Sequence, residues 1–513
     1  SNRSSEFNSL PMKDKNEDPR PWLQKGAQPM KKTITTIIIT LILGIIPIHA
    51  DIIEPGVSNE TYYKEIVFIS GEPIELTGTL TTKESGKGDS KKITYTYNLA
   101  GEDGASLSRT VIFQSEEIAD ETLGQITTGL TLDPKAKLSE TITIGGRNYV
   151  LESYIFNKAS VSHDKSIIKY TSGTWNGRKI YNEGENQVIV NIYGDDYKYD
   201  NEWSTVETAM IRHVFTYNFP QASRNNLQQS TGTVEYGVTN IKEKEIESRE
   251  SLPNQISFKE SYIINEKEEN TVTYKYDMPV ITNARTTRRK DGEGSFKLTT
   301  MPKLYPLPIP QYTDIIGYWA EQDINRLFSL GVMDGDGKYF NPRGEITRAE
   351  YARALIKACG LEDNTPVKKS RNRKDVQEEI IFADVDPDHP NYSFIRRAVD
   401  LKIMQGTGYN TFDPEDPVTK AQAVTIIIRA LGLEDIKTSN MARIFADEDA
   451  IPNWARKSIY VAEDLGIIES NDYNMIEANK NMTRGEAANL VNRLISYLQK
   501  EIKTDYSERL VNF

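Results

Sequence analysis

Residues 346–350 read Ile-Thr-Arg-Ala-Glu, residues 418–422 Val-Thr-Lys-Ala-Gln and residues 482–486 Met-Thr-Arg-Gly-Glu. In each, a threonine stands three residues before a glutamate or glutamine. That is the spacing of a capping box, in which each side chain satisfies a free backbone N–H at the other's position. Thr347, Thr419 and Thr483 are therefore expected to be helix N-caps, with Glu350, Gln422 and Glu486 as their partners. Counting onward from each threonine gives one apolar stripe: Ala352, Val424 and Ala488, then Leu355, Ile427 and Val491, then Cys359, Leu431 and Ile495. Apolar residues at this helical spacing face a core. Cys359 shares its position with Leu431 and Ile495, so it is expected to be a buried structural thiol.

Working backwards, each capped helix closes a longer unit. The units open on an aromatic, any residue, then aspartate: Tyr312-Thr313-Asp314, Phe382-Ala383-Asp384 and Phe445-Ala446-Asp447. A helix-like stretch follows and ends at Gly331, Lys402 or Gly466. Next comes a turn-rich loop carrying Phe340-x-Pro342 in the first unit and Phe412-x-Pro414 in the second. These residues give the repeats 312–361, 382–433 and 445–498, with a charged linker at 362–381 and a tail at 499–513.

In these features the chain resembles S-layer homology domain proteins of bacterial cell surfaces. The resemblance covers about two-fifths of the chain. It implies a helical, pseudo-threefold assembly with grooves between three prongs. It also implies a ligand, an anionic secondary cell-wall polysaccharide commonly ending in a pyruvylated sugar. Family resemblance places the repeat-start groups and the arginine after the capping threonine at the grooves.

The residues at the repeat starts have chemistry of their own. Arg348, Lys420 and Arg484 follow the capping threonines, where a helix presents free N–H groups and partial positive charge. A guanidinium there suits a carboxylate, and Lys420 supplies only a point charge. The grooves of Arg348 and Arg484 are thus expected to bind best. The competing reading pairs these cations with Glu350 or Asp314. Trp319 and Trp454 hold equivalent positions in repeats one and three; each is either a sugar platform or a core aromatic. Repeat two has Pro390 there, with Tyr392 as a substitute. Asp314, Asp384 and Asp447 are either ligand contacts or helix caps.

The remainder has different periodicity. From residue 63 to 300 the pattern alternates, as in Lys92-Ile93-Thr94-Tyr95-Thr96-Tyr97-Asn98-Leu99. Threonine, tyrosine and β-branched residues alternating in this way indicate antiparallel sheet with one wet face. Length suggests two sandwich-like β domains, 51–170 and 171–300. The cluster Asp195, Asp196, Asp200 and Glu202 beside Tyr197, Tyr199 and Trp203 reads as a polar hairpin turn, with sugar binding, calcium or glycoside hydrolysis as the competing readings. Residues 301–311 contain Pro302, Pro306, Pro308 and Pro310, an extended connector expected to hold the β half away from the repeats. The fold class is therefore multidomain: an all-β, antiparallel, sandwich-like N-terminal half and an α-helical C-terminal trimer of repeats.

At the start, residues 30–50 read MKKTITTIIITLILGIIPIHA. Two lysines, an apolar run too short to span a membrane and a final alanine form a secretory signal peptide pattern. Residues 1–29 read as an expression leader or misplaced start. No transmembrane anchor is expected after signal removal. The 513 residues carry 62 Lys and Arg against 74 Asp and Glu, a net charge of −12. Such a balance disfavours a nucleic-acid coat. The single cysteine excludes an internal disulfide. His49, His163, His213 and His389 lack a neighbouring His or Cys at ligand spacing, so neither metal nor cofactor is expected. The cationic run Lys368, Lys369, Arg371, Arg373 and Lys374 reads as a solvated linker. The whole describes an exported, non-catalytic surface protein held to a wall polysaccharide, with self-assembly or contact with other surface proteins as its further expected partners. The alternative is a wall-tethered enzyme on polysaccharide or peptide, with its catalytic site in the β half.

Overall fold

The computed structural model describes residues 52–502 apart from 88, 121–123, 221–226, 250–260, 283–284, 309–310, 363–381 and 435–444. The leader, the signal-like segment, the Lys368–Lys374 run and the end of the tail lie outside the described residues. Fifteen strands come first: β1 (Gly56–Ser58), β2 (Tyr63–Val67), β3 (Ile74–Lys87), β4 (Ser90–Ala100), β5 (Ser106–Asp120), β6 (Gln125–Leu132), β7 (Ser139–Ile144), β8 (Arg147–Lys165), β9 (Ile168–Glu183), β10 (Asn186–Asp200), β11 (Ser204–Pro220), β12 (Leu227–Arg249), β13 (Ser261–Thr282), β14 (Arg285–Thr299) and β15 (Lys303–Pro306). Among the described residues six α-helices follow: α1 (Glu321–Ser329), α2 (Arg348–Ala358), α3 (Tyr392–Asp400), α4 (Lys420–Leu431), α5 (Asn453–Asp464) and α6 (Arg484–Ser496).

All fifteen strands belong to one antiparallel sheet, so hydrogen bonding does not build the expected two-sheet sandwich. Nor does the sheet break between residues 165 and 185, where the two β domains were expected to part. There β8 and β9 form a long hairpin, paired from Val150↔Asn182 to Lys165↔Ile168. The physical reason is strand length. Strands of 15 to 23 residues, from β8 through β14, let one sheet roll on itself. Its first strands come to lie against β12 and β13: the Asn270 side-chain amide donates to the Ser58 carbonyl at 2.6 Å, and Phe68 meets the rings of Tyr236, Tyr274 and Tyr276 at 5.1–6.0 Å. Alternation then puts one side-chain set inside the roll and the other in water.

The inside is not purely apolar. Arg109 donates to both Glu65 oxygens at 2.9 Å and to Glu140 at 2.8 Å. Lys179 reaches Glu54 at 2.6 Å and Glu140 at 3.1 Å. All five are buried. The two cations hold Glu140 down to about 2 against the cost of burial. Glu65 is pushed up by burial and by the charge on Glu54, against the pull of Arg109. Three carboxylates facing two cations cannot all ionise comfortably in a low-dielectric interior.

The proline-rich stretch is not a free connector. Lys303–Pro306 adds to the sheet beside β13, with Ile264↔Tyr305 in register. The β half also docks on the helices instead of standing away from them. Ile167, Ile168, Tyr199, Trp203 and Val206 join the same buried cluster as the helical residues. Trp203 Nε1 donates to the Ala358 carbonyl at 2.8 Å, Ser204 Oγ to that of Leu498 at 2.7 Å and Ser166 Oγ to that of Leu401 at 2.7 Å. These carbonyls sit at helix C-terminal ends, where the last groups have no partner inside the helix.

Candidate functional site

The three capping boxes are all closed, with Thr347, Thr419 and Thr483 accepting from the backbone of Glu350, Gln422 and Glu486. The remaining free N–H groups of these helices find partners in other repeats. Arg348 and Ala349 donate to the carbonyls of Asp416 and Pro414. Lys420 and Ala421 donate to Lys480 and Ala478, and Arg484 and Gly485 to Gly344 and Pro342. Each capped helix thus stands on the loop of another repeat, in the cyclic order one on two, two on three, three on one. A ring closes the arrangement: Val418 donates to Ile346, Met482 to Val418 and Ile346 to Met482, at 2.8–3.1 Å. The helix N-termini are therefore spent on the neighbouring loop. The expectation that their free N–H groups receive an anion does not hold, because N1, N2 and N3 all have protein partners.

The cations beside them also face the neighbouring loop. Arg348 donates to the carbonyls of Phe412 at 2.9 Å and Gln405 at 3.0 Å, and its guanidinium lies 4.8 Å from the Phe412 ring centre. Arg484 donates to Phe340 at 3.0 Å, bonds Asp334 and pairs with Glu350, 4.7 Å over the Phe340 ring. Two of the three inter-repeat grooves are thus clasped by an arginine over a phenylalanine. The third has Lys420 in place of arginine, and the facing loop offers Ile476, buried, where the others have phenylalanine.

Here a groove of about 450 Å³ is open. Lys420, Trp319, Asn471, Met475, Lys480 and Arg493 line it. Trp319 is 62 % exposed. Lys480 is held by Glu477 and Glu486, and Arg493 by Glu469 at 2.8 Å. Lys420 forms no ion pair among the described residues, and burial pulls its ammonium below the usual lysine range. The Lys420 ammonium thus lies half-buried in the same groove as an exposed indole, attracted by Glu486 and Glu477 without a direct ion pair to either.

The other expected site residues fall as follows. Asp314 accepts from the backbone of Phe340 and Asn341 at 2.9 and 2.7 Å. Asp384 does the same for Phe412 and Asp413, and Asp447 for Ile476 and Glu477. They cap no helix; they hold the turn-rich loop of their own repeat. The second residue of each pair has positive φ, at 58°, 55° and 56°, a conformation that costs a side chain energy and needs such support. The backbone bonds draw Asp384 below the usual carboxylate range, against burial. Trp454 is 59 % exposed, which removes the core reading for both tryptophans. Tyr392 is buried and offers no platform in repeat two. Lys480 has no counterpart in the other units, where Gly344 and Asp416 hold its position, whereas Arg493 shares its position with Lys357 and Arg429, ten residues after the capping threonine, a signal that sequence reading could have used.

Residues 311–352, 381–424 and 444–488 match the family model of the S-layer homology domain. Amylopullulanase of Thermoanaerobacterium thermosulfurigenes is 29 % identical over 188 residues, 36 % of this chain and 9 % of that protein. The surface-layer 125 kDa protein of Lysinibacillus sphaericus is 28 % identical over 201 residues, 38 % of this chain and 16 % of that protein. The S-layer protein of Bacillus thuringiensis subsp. finitimus is 26 % identical over 175 residues, 34 % of this chain and 20 % of that protein. The chain therefore spans less than a quarter of the length of each of these relatives. Its C-terminal part carries three S-layer homology domains, and it is a secreted protein of the cell wall or cell surface.

Proposed function

We propose that the chain is a non-catalytic surface protein held non-covalently to an anionic, pyruvylated secondary cell-wall polysaccharide, and that the Lys420 groove receives the acidic sugar. The observation that carries this is the ammonium of Lys420, half-buried, in no direct ion pair with a described residue and lining one groove with the exposed ring of Trp319. Self-assembly with further copies or other surface proteins belongs to the same reading. So does the pseudo-threefold assembly, which the ring through Ile346, Val418 and Met482 supports. The non-catalytic part draws support from the interior of the sheet, where Glu65, Glu140 and Asp196 are engaged by Arg109, Lys179 and Lys158.

The test is sedimentation of the full chain with cell walls from the source organism, before and after extraction of the secondary polymer. Binding is expected to vanish on extraction. Lys420→Met should weaken it by about 1.5 to 3 kcal/mol, the value of a hydrogen bond to a charged group. Binding indifferent to extraction would overturn the reading.

A further inference from the structure

The outer face of β8–β10 carries a groove of about 520 Å³ that no role so far accounts for. Register builds it. Asn157 pairs with Asn176, Asn176 with Tyr193 and Tyr193 with Arg212, a row that crosses four strands on the wet face. One step along, Ile155, Arg178 and Asn191 form a second row, and Ala159, Thr174 and Asp195 a third. Tyr193 is 52 % exposed and Ile155 61 %.

Asparagine is a poor strand former, yet Asn157, Asn176 and Asn191 stand well inside long strands. Their side-chain amides form no hydrogen bond with another described residue, so local structure does not explain them. The mid-strand glycines are explained by the inner face. Gly194 gives room to the Trp175 ring and Gly173 to the Asp196 carboxylate. The amides are thus left unspent on the side where the groove lies. Asp195, expected in a hairpin turn, sits instead on this face of β10, while Asp196 points inward to Lys158 at 2.6 Å.

We infer that this groove binds an uncharged hexopyranose chain. The rows are spaced for a slender ligand lying across the strands, which stand about 4.8 Å apart. The exposed Tyr193 ring offers an apolar face to a pyranose, and the amides of Asn176 and Asn191 offer paired donors and acceptors to its hydroxyls. Arg178 and Asp195 balance each other, so the groove selects for no net charge, unlike the Lys420 site. Its volume lies in the range of ligand pockets. Ile155 and Tyr193 are separated by polar residues and form no continuous apolar patch of the kind a second protein would cover. Asn176 is eight residues from the β8–β9 hairpin that meets the helices, about 26 Å along the strand. The groove is therefore separate from those between the repeats, and the inference stands whether or not the wall reading does.

The full chain would be titrated calorimetrically with three probes: cellohexaose, mannohexaose and chitohexaose. At least one is expected to bind. Tyr193→Ala and Asn176→Ala, both at exposed positions, should each weaken that binding by about tenfold or more, with an unchanged melting temperature. Lys420→Met should leave it untouched. No heat with any of the three probes would overturn the inference. So would binding retained in Tyr193→Ala, or binding lost in Lys420→Met. Self-association of the wild type that Tyr193→Ala abolishes, without sugar binding, would instead make the face a contact between copies.

Discussion

Acidification from pH 7 to pH 5 should destabilise the β half by about 2 kcal/mol through His213. The residue lies on β11 inside the roll, 5.0 Å from the Tyr236 ring centre and 6.0 Å from that of Phe215. Its Nε2 meets no hydrogen-bond partner among the described residues. Burial first, then the charges of Lys179 and Arg109, hold its pKa down to about 3, with Glu140 opposing. The ordinary value is 6.5. Below that pH the unfolded chain binds a proton that the folded chain refuses. Stability is complete above pH 6.5 and falls by about 1.4 kcal/mol per unit towards pH 3. Between pH 5 and 7 histidine is the side chain that ordinarily titrates; Glu65, pushed up by burial, acts in the opposite sense and is common to wild type and variant, so the difference in slope between them reports His213. His163 is also lowered, by burial and by Lys165, and adds a contribution of the same sign. Urea midpoints followed by tryptophan fluorescence at pH 7, 6 and 5 would measure the slope. His213→Phe should flatten it, leaving the His163 part. An equal slope in wild type and variant would refute the argument, since it would mean that His213 takes up its proton in the folded state.

The charge cluster inside the roll makes an asymmetric prediction. Lys179→Met leaves three carboxylates facing Arg109 and should cost about 3 to 5 kcal/mol, whereas Glu54→Gln leaves two against two and should cost less than half of that; equal losses in urea titrations would contradict this balance of charges. At the junction with the helices, Trp203→Phe strips the Ala358 carbonyl of its donor and should cost about 1 to 3 kcal/mol. Because the halves share a core, calorimetry should show one transition in the wild type and two in Trp203→Ala; two in the wild type would show that the junction does not couple them.

What sequence could reveal depended on whether the relevant contact was local. Each capping box spans four residues, and all three boxes form. The stripe through Leu355, Ile427 and Val491 is set by helical period, and all three side chains are buried. Cys359 is buried too, and its thiol is pushed up to about 12 by desolvation. Alternation identified strands because it reports a single wet face. It carries no information on how many strands share a sheet, so two sandwiches were expected where one sheet rolls. The proline count suggested a free connector, yet a residue at the edge of a sheet needs only half its backbone groups paired, and Lys303–Pro306 fits there. Asp314, Asp384 and Asp447 looked like helix caps because they precede helices. Their partners lie 26 to 30 residues on, beyond any local rule.

The groove itself shows how two weak signals can combine. Sequence comparison of the repeats found lysine for arginine in repeat two and a missing Phe-x-Pro in repeat three. Taken separately, each counts against binding, and the arginine grooves looked stronger. The ring of hydrogen bonds changes that inference, because the helix of repeat two stands on the loop of repeat three. Both departures therefore fall in one place. Where the pair is arginine and phenylalanine, the guanidinium lies on the ring, donates to loop carbonyls and fills the space between repeats. Where the pair is Lys420 and Ile476, there is neither a fork to bond the loop nor a ring to cover. The space stays open, and Lys420 forms no direct ion pair there with a described residue. An arginine already holding two carbonyls has little left for a ligand, whereas the Lys420 ammonium, drawn by Glu486 and Glu477 but directly paired with no described residue, keeps its donors to give. A Lys420→Arg change should therefore close the groove and bond the loop carbonyls, weakening wall binding while raising the melting temperature; tighter wall binding in this variant would mean that the guanidinium remains free for the ligand.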